Sequence, residues 1–269
     1  MWSSLQRLWL LFCLGLPASW AEAEKPVVLA SIEPLAKIAR ELLGDRAKVE
    51  VLLPAGANPH QYALKISDLG RIKSASLLIW NGPALEPYLQ RAIAKIGVAD
   101  VHFEDPLLAH TDLHRDPHYW LSPFQAMLMA EGIVEQLALP ASSLQAYQEK
   151  QQELLARWRE PLAAKSIAVY HDGYSHLAEA FDINIVAAAT AGEGKGISLA
   201  KRLELRSKLR GAPCLLAEPY SEANRAKRLA EQEGLPLVWL DPLANSSAEQ
   251  LYHPWMEAML TQLSGCFKP

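Results

Sequence analysis

A chain of 269 residues, half of them hydrophobic and 21% charged, can bury a core sufficient for one large domain or two lobes. Its formal net charge of −4 supplies no electrostatic attraction to nucleic acid or to an anionic membrane surface. There is no low-complexity segment and no repeat at the level of sequence.

The N-terminus has the order of an export signal. Arg7 precedes an apolar run from Leu8 to Leu16, and the small-residue stretch Pro17-Ala18-Ser19-Trp20-Ala21-Glu22-Ala23 follows. Residues 1–23 are therefore expected to be a signal peptide, cleaved after Ala21 or Ala23. The run is too short to cross a bilayer, and no later run approaches the roughly 20 residues needed. Cys13 is a passenger in this signal, because Phe12 stands where a lipid-attachment motif wants a small residue. The two remaining cysteines, Cys214 and Cys266, form an even pair in an exported chain and read as a disulfide. Closing a loop of about 50 residues would contribute roughly 4 kcal/mol and tie the C-terminus to a sheet. The other reading is two separate thiols.

Strand-like and helix-like runs alternate along the mature chain. Val27–Ala30, Val49–Leu53, Leu77–Trp80 and Val101–Phe103 are short, apolar and rich in branched residues, as buried strands are. Helices are expected near Pro34–Leu43, which Gly44 stops, at Ser67–Ser74, and at Ala84–Ile96. Ser122-Pro123 is a helix entry, because serine caps free N–H groups and proline has none to leave unpaired. That helix runs to about Leu137 and breaks at Pro140. A polar helix follows from about Ser143 to Arg159, with strong propensity, little apolar face and the character of a solvent-exposed connector. The alternation then resumes. Strands are expected at Ile167–Tyr170, Ile183–Ala188, Cys214–Ala217 and Leu237–Leu240. Helices fall at Tyr174–Phe181, Ser198–Leu209, Ser221–Glu233 and Ser247–Leu263. Two such sets imply an α/β protein of two parallel-sheet lobes. The divisions expected are an N-terminal lobe over 24–122, a helical connection over 123–163 and a C-terminal lobe over 164–269.

Ligands of open α/β sheets bind beyond the C-terminal ends of the strands. Four polar residues fall there, two from each half. His60 ends the loop after the second strand, and His118 lies in the loop after the fourth. His171 directly ends the fifth, and Asp241 ends the eighth. Each alone also fits a polar loop residue, and Asp241-Pro242 also fits the cap of a turn. Three imidazoles and a carboxylate suit zinc, whereas manganese favours more oxygen. The ligands are dispersed, so the metal would bridge two preformed lobes. His110 and His114, with Asp112 and Asp116, form an acidic loop that offers at most weak auxiliary sites. His176, five residues from His171, points well round its helix and is a poor co-ligand. His102 and His253 have no evident partners.

Several blocks together resemble the periplasmic metal-binding proteins that serve ABC importers, particularly the zinc-uptake (ZnuA-like) branch. They are Leu53-Pro54 through Pro59-His60-Gln61-Tyr62, then Ser67-Asp68, and Ile79-Trp80-Asn81-Gly82 with Leu85-Glu86. Asp116-Pro117-His118-Tyr119-Trp120-Leu121-Ser122-Pro123 follows. In the second half come Tyr170-His171-Asp172-Gly173-Tyr174, Ala217-Glu218-Pro219 and Leu240-Asp241-Pro242-Leu243. The resemblance covers nearly the whole mature chain. It implies two Rossmann-like lobes joined by a long linking helix, with metal in the interlobe cleft and His60, His118 and His171 as ligands. In manganese-type relatives the position of His171 is usually glutamate, so the resemblance favours zinc, and the cysteine pair matches one in the zinc branch. Pro59 stands where some zinc relatives carry a ligating glutamate, which leaves Asp241, a water or nothing as fourth donor. The loop before His118 lacks the long histidine-rich insertion of many relatives, and Ile66 replaces a common proline. The segment from Tyr147 to His171 is about 11 residues shorter than the family leads one to expect, close to three helical turns.

The function expected is a periplasmic monomer that captures Zn²⁺ and delivers it to an inner-membrane ABC permease, without nucleic acid or membrane insertion. Asp172 or Glu218 would orient the ligands, and a shift of the lobes would release the ion. The alternatives are a secreted zinc hydrolase, a carrier of another divalent metal such as Mn²⁺, and a metal-dependent adhesin. An enzyme is not expected, because no HExxH pair or nucleophile elbow is present.

Overall fold

Leu77–Trp80 is buried along its whole length and Val27–Ala30 nearly so, which requires a sheet covered on both faces. A computed structural model describes residues 24–103, 116–190, 199–220, 222–247 and 250–267. The expected signal 1–23 with Cys13, and the loop residues His110, Asp112 and His114, lie outside them. In the first lobe β1 (Val27–Ala30), β2 (Lys48–Val51), β3 (Leu77–Trp80) and β4 (Asp100–His102) form a parallel sheet ordered β2-β1-β3-β4. The intervening helices are α1 (Glu33–Leu43), α2 (Ile66–Ser74) and α3 (Pro87–Ile96).

The second lobe repeats the plan. Its strands β5 (Ser166–His171), β6 (Asn184–Thr190), β7 (Leu215–Ala217) and β8 (Leu237–Trp239) are parallel and ordered β6-β5-β7-β8. Helices α6 (Ser175–Ala180), α7 (Leu199–Leu209) and α8 (Ala223–Glu233) connect them. Each lobe therefore reverses its winding between its first and third strands, and the crevice lies beyond those strand ends. Between the lobes run α4 (Pro123–Gln136) and α5 (Ala141–Leu162), and α9 (Tyr252–Ser264) closes the chain. No helix among the described residues is long and apolar enough to cross a membrane.

Two helix starts and the character of a third helix differ from expectation for local reasons. The third helix begins at Pro87 rather than Ala84, because Glu86 is non-helical and fully buried. The last helix begins at Tyr252 rather than Ser247. The intervening turn is organised by Asp241, which accepts from the backbone N–H groups of Asn245 and Ser246. The polar helix α5 is not a wholly solvated connector. Its 22 residues extend about 33 Å, and Tyr147, Gln151, Leu154 and Leu162 are buried. Those positions lie close to one helical stripe, which the surrounding Gln, Glu and Arg residues mask in the sequence.

The two lobes share one continuous core, with Trp120, Tyr147, Tyr174, Phe181 and Tyr252 among its largest buried side chains. Trp120 Nε1 donates to Pro242 O at 2.8 Å, and Tyr252 Oη donates to Trp120 O at 3.0 Å. Both bonds satisfy polar tips that burial would otherwise leave costly. The structure contains the Cys214–Cys266 disulfide, with Cα atoms 5.4 Å apart. It fastens the start of β7 to the C-terminal turn, as the even pair in the sequence suggested.

Away from the strand ends, α1, α5 and α9 meet around one buried carboxylate. Glu41 Oε1 accepts from Lys150 Nζ at 2.8 Å, and Oε2 accepts from the His253 backbone N–H at 3.0 Å. His253 Nδ1 lies 3.1 Å from the same oxygen. Burial opposes ionisation of Glu41, but the contacts from His253 and Lys150 prevail and bring its pKa from 4.5 to about 2. A depressed carboxyl stabilises the fold above its unfolded pKa, and that contribution disappears as pH falls towards its folded pKa. Glu41→Gln is expected to cost about 3 kcal/mol at neutral pH, as loss of one partner from a buried ion pair does. In urea unfolding, the gap between wild type and variant should narrow as pH falls from 4.5 towards 2. A gap independent of pH would refute the ionic role.

Candidate metal centre

Asp116 begins the site. Its Oδ1 accepts from the His118 backbone N–H at 3.0 Å and from His118 Nδ1 at 2.6 Å. An ionised carboxylate can only accept, so Nδ1 carries the proton and Nε2 presents its lone pair. Pro117 holds the two residues in the turn that permits this. Asp116 Oδ2 accepts from Ser175 N at 2.8 Å, at the first turn of α6 in the other lobe. Burial resists the charge on Asp116, yet its bonds and attraction to His118 hold the carboxyl at about 2. The His118 ring is buried and meets Trp120 edge-on at 5.2 Å.

His171 is delivered by the end of β5, where Thr190 Oγ1 of the neighbouring strand donates to the Tyr170 carbonyl. Burial, and then repulsion by His118 and His60, lower its pKa to about 4, so the ring is neutral at ordinary pH. His60 lies on the loop after β2, in a turn where its N–H donates to Asn58 Oδ1 at 2.9 Å. The same loop crosses to the second lobe, as Gly56 N donates to Asn245 Oδ1 at 3.0 Å.

The three imidazoles converge. His60 Nε2 and His118 Nε2 are 3.3 Å apart, and His118 Nε2 and His171 Nε2 are 3.4 Å apart. Zinc–nitrogen bonds of about 2.05 Å at tetrahedral angles place ligand nitrogens about 3.3 Å apart. Two edges of a tetrahedron are thus already formed, and one ligand atom from each of the three histidines lies within 4.8 Å of the others. The structure brings together His60, His118 and His171 from both lobes.

It does not bring Asp241 into that group. Asp241 Oδ1 accepts from Tyr220 Oη and from Asn245 N, while Oδ2 accepts from Ser246 N and Oγ at 2.7 and 2.6 Å. Its oxygens are committed to holding the turn after β8, the cap that an Asp-Pro after a strand also suggests. Of the expected orienters, Glu218 feels His118 only electrostatically. Burial raises its carboxyl to about 7 against that attraction. The carboxylate bonded to the His118 ring is Asp116, read from sequence as part of an acidic loop and of a family block but not as an orienter. The signal was its place two residues before His118 across a proline.

Gly173 was legible only as part of a motif. A β-carbon there would lie 2.7 Å from His171 Cδ2 and 2.8 Å from His118 Cε1. The absence of a side chain lets the two rings approach to coordination distance.

Two parallel-sheet lobes with three histidines converging from both define a metal solute-binding protein. The family model described as "Zinc-uptake complex component A periplasmic" (ZnuA) matches residues 28–266, and the chain belongs to that family. A relative named high-affinity zinc uptake system protein ZnuA, from Haemophilus ducreyi, is 27% identical over 89% of this chain and 92% of its own. The Zn(II)-bound ZnuA-like domain of AdcA from Streptococcus pneumoniae superposes with a TM-score of 0.72 at 23% identity, over 90% of this chain and 98% of that one. FpvC from Pseudomonas aeruginosa, solved with Mn²⁺, superposes at 0.73 with 22% identity, over 90% and 98%. At such identities the superpositions establish the fold. The expected two-lobed α/β architecture is therefore observed.

Gly173→Ala should push the His118 and His171 rings apart. Its zinc affinity is expected to fall by about tenfold or more, the scale of displaced metal-site support. Competition titration against a zinc chelator measures this. Unchanged affinity would show that the rings have room.

Proposed function

We propose that this chain captures Zn²⁺ in the interlobe cleft through His60, His118 and His171, as the solute-binding component of a zinc importer. The observation that carries the reading is the spacing of the three Nε2 atoms, 3.3 and 3.4 Å, at the edge length of a zinc tetrahedron. Three neutral nitrogen donors favour zinc over metals that demand more oxygen. The fourth position is completed by water, or by Asp241 if its carboxylate leaves Tyr220 and Ser246. Residues 1–23 direct the chain to the periplasm, and an inner-membrane ABC permease receives the ion. The cargo is carried and not transformed, so the protein acts without catalysis. The names of the zinc-uptake relatives agree with this assignment.

A second reading, a carrier of another divalent ion, has one observation in its favour. FpvC shares the fold and is solved with Mn²⁺ and with Ni²⁺. Metal titration of chelator-stripped protein separates the two. The expected result is about one tightly held Zn²⁺ per chain, lost when His60, His118 or His171 becomes alanine. Mn²⁺ bound as tightly as Zn²⁺ would overturn the zinc assignment. Delivery is tested in the source cell under zinc limitation. Growth should fail when the chain is deleted and recover with wild type but not with His118→Ala.

A further inference from the structure

Two consecutive carbonyls of the His118 turn are each gripped by one side chain, and the grips come from opposite lobes. Asn81 Nδ2, just beyond β3, donates to Pro117 O at 2.5 Å. His176 Nε2, on α6, lies 2.7 Å from Asp116 O. A carbonyl only accepts, so this imidazole nitrogen carries the proton and donates. His176 is 1% exposed and lies against the Tyr119 ring, with centroids 4.7 Å apart. Asn81 is fully buried and is itself braced. Glu86 Oε2 accepts its backbone N–H at 2.7 Å and Ser31 Oγ at 2.9 Å, fastening it to the ends of β1 and β3.

We propose that Asn81 and His176 are positioning residues that together aim His118 Nε2, and so set the strength and geometry of metal binding without touching the ion. This deepens, and rests on, the metal-binding reading given above. The Asp116 carbonyl belongs to the peptide plane entering Pro117, and the Pro117 carbonyl to the plane entering His118. The proline ring fixes the φ between them. Holding both carbonyls therefore fixes both planes and with them the N–Cα axis from which the His118 side chain leaves the backbone. The bond from Nδ1 to Asp116 then sets the ring rotation. Releasing either grip lets a plane turn, and the spacing to His60 and His171 widens. Since one brace stands on each lobe, the lobes must keep their relation for His118 to keep its aim.

The test compares zinc affinity, the visible spectrum of the Co²⁺-substituted protein and the imidazole ¹⁵N resonances of His118 in metal-free protein. Asn81→Ala and His176→Ala should each bind zinc about tenfold or more weakly, with an altered cobalt spectrum and shifted His118 resonances. His176→Gln, whose amide nitrogen replaces the imidazole donor, should return affinity to within about threefold of wild type. The double alanine variant should lose less, on a logarithmic scale, than the two single losses combined, because both act on one turn. If an alanine variant does not fold, Asn81→Ser and His176→Gln still decide, since only the first loses its grip. Wild-type affinity, spectrum and resonances in Asn81→Ala or Asn81→Ser would overturn the proposal. So would a His176→Gln variant as weak as His176→Ala. A wild-type protein that takes up no metal would instead sink the functional reading. The His118 resonances of the metal-free variants would then judge the positioning role alone.

Discussion

The Asp116 carboxylate is the contact on which the site and the joining of the lobes both depend. One oxygen fixes the His118 tautomer and ring, so that Nε2 faces the cleft with a lone pair. The other receives the first backbone N–H of α6, in the opposite lobe. A carboxylate at a helix start is favoured both by the unpaired N–H groups and by the helix dipole. The same charge therefore prepares the ligand and fastens the surface that carries His171. A neutral amide at this position would set its NH2 group against either the Ser175 N–H or the His118 N–H and would leave the tautomer undetermined.

Most of the architecture was readable because the strands are short apolar runs and the helices begin at recognisable stops. Leu77–Trp80 and Val27–Ala30 are apolar runs of a strand's length rather than a helix's. The misread boundaries have a common cause, which is a side chain satisfied by distant partners. Glu86 delays α3 because its carboxyl accepts from Ser31 and Asn81. Tyr147 turns part of an ostensibly polar helix inward, against Tyr252 and His253. His253 had no evident partner in sequence because Glu41 lies 212 positions away. Periodicity reports the faces of an element and is silent about such pairs.

The three histidines were legible from their placement after strands, since topology sends strand ends to a shared crevice. Asp241 met the same criterion. It occupies the place after β8 that His118 occupies after β4, in two sheets of identical order. What placement cannot reveal is how a carboxylate spends its oxygens, and here Tyr220, Asn245 and Ser246 claim them. His176 shows the converse error. Helical phase relative to His171 set it aside as a ligand, but His171 ends β5 and only His176 lies on α6, whose first turn carries it to the back of the His118 turn, where its donor is used. The supports of a metal site are chosen by three-dimensional reach, and a spacing rule written for ligands passes over them.

Two of the interlobe fastenings are built alike. Glu41 and Asp116, both from the first lobe, accept backbone N–H groups in the first turns of α9 and α6, at His253 and Ser175. Burial alone would push both carboxyls up, yet each is held near 2 by its histidine contacts. Both therefore stay ionised through mildly acidic conditions, where unpaired carboxylates begin to protonate. His171, at about 4, also stays neutral there. As pH falls, His171 therefore takes up its proton before either carboxylate does. Acid thus acts first on this imidazole of the candidate site and only later on the frame that joins the lobes.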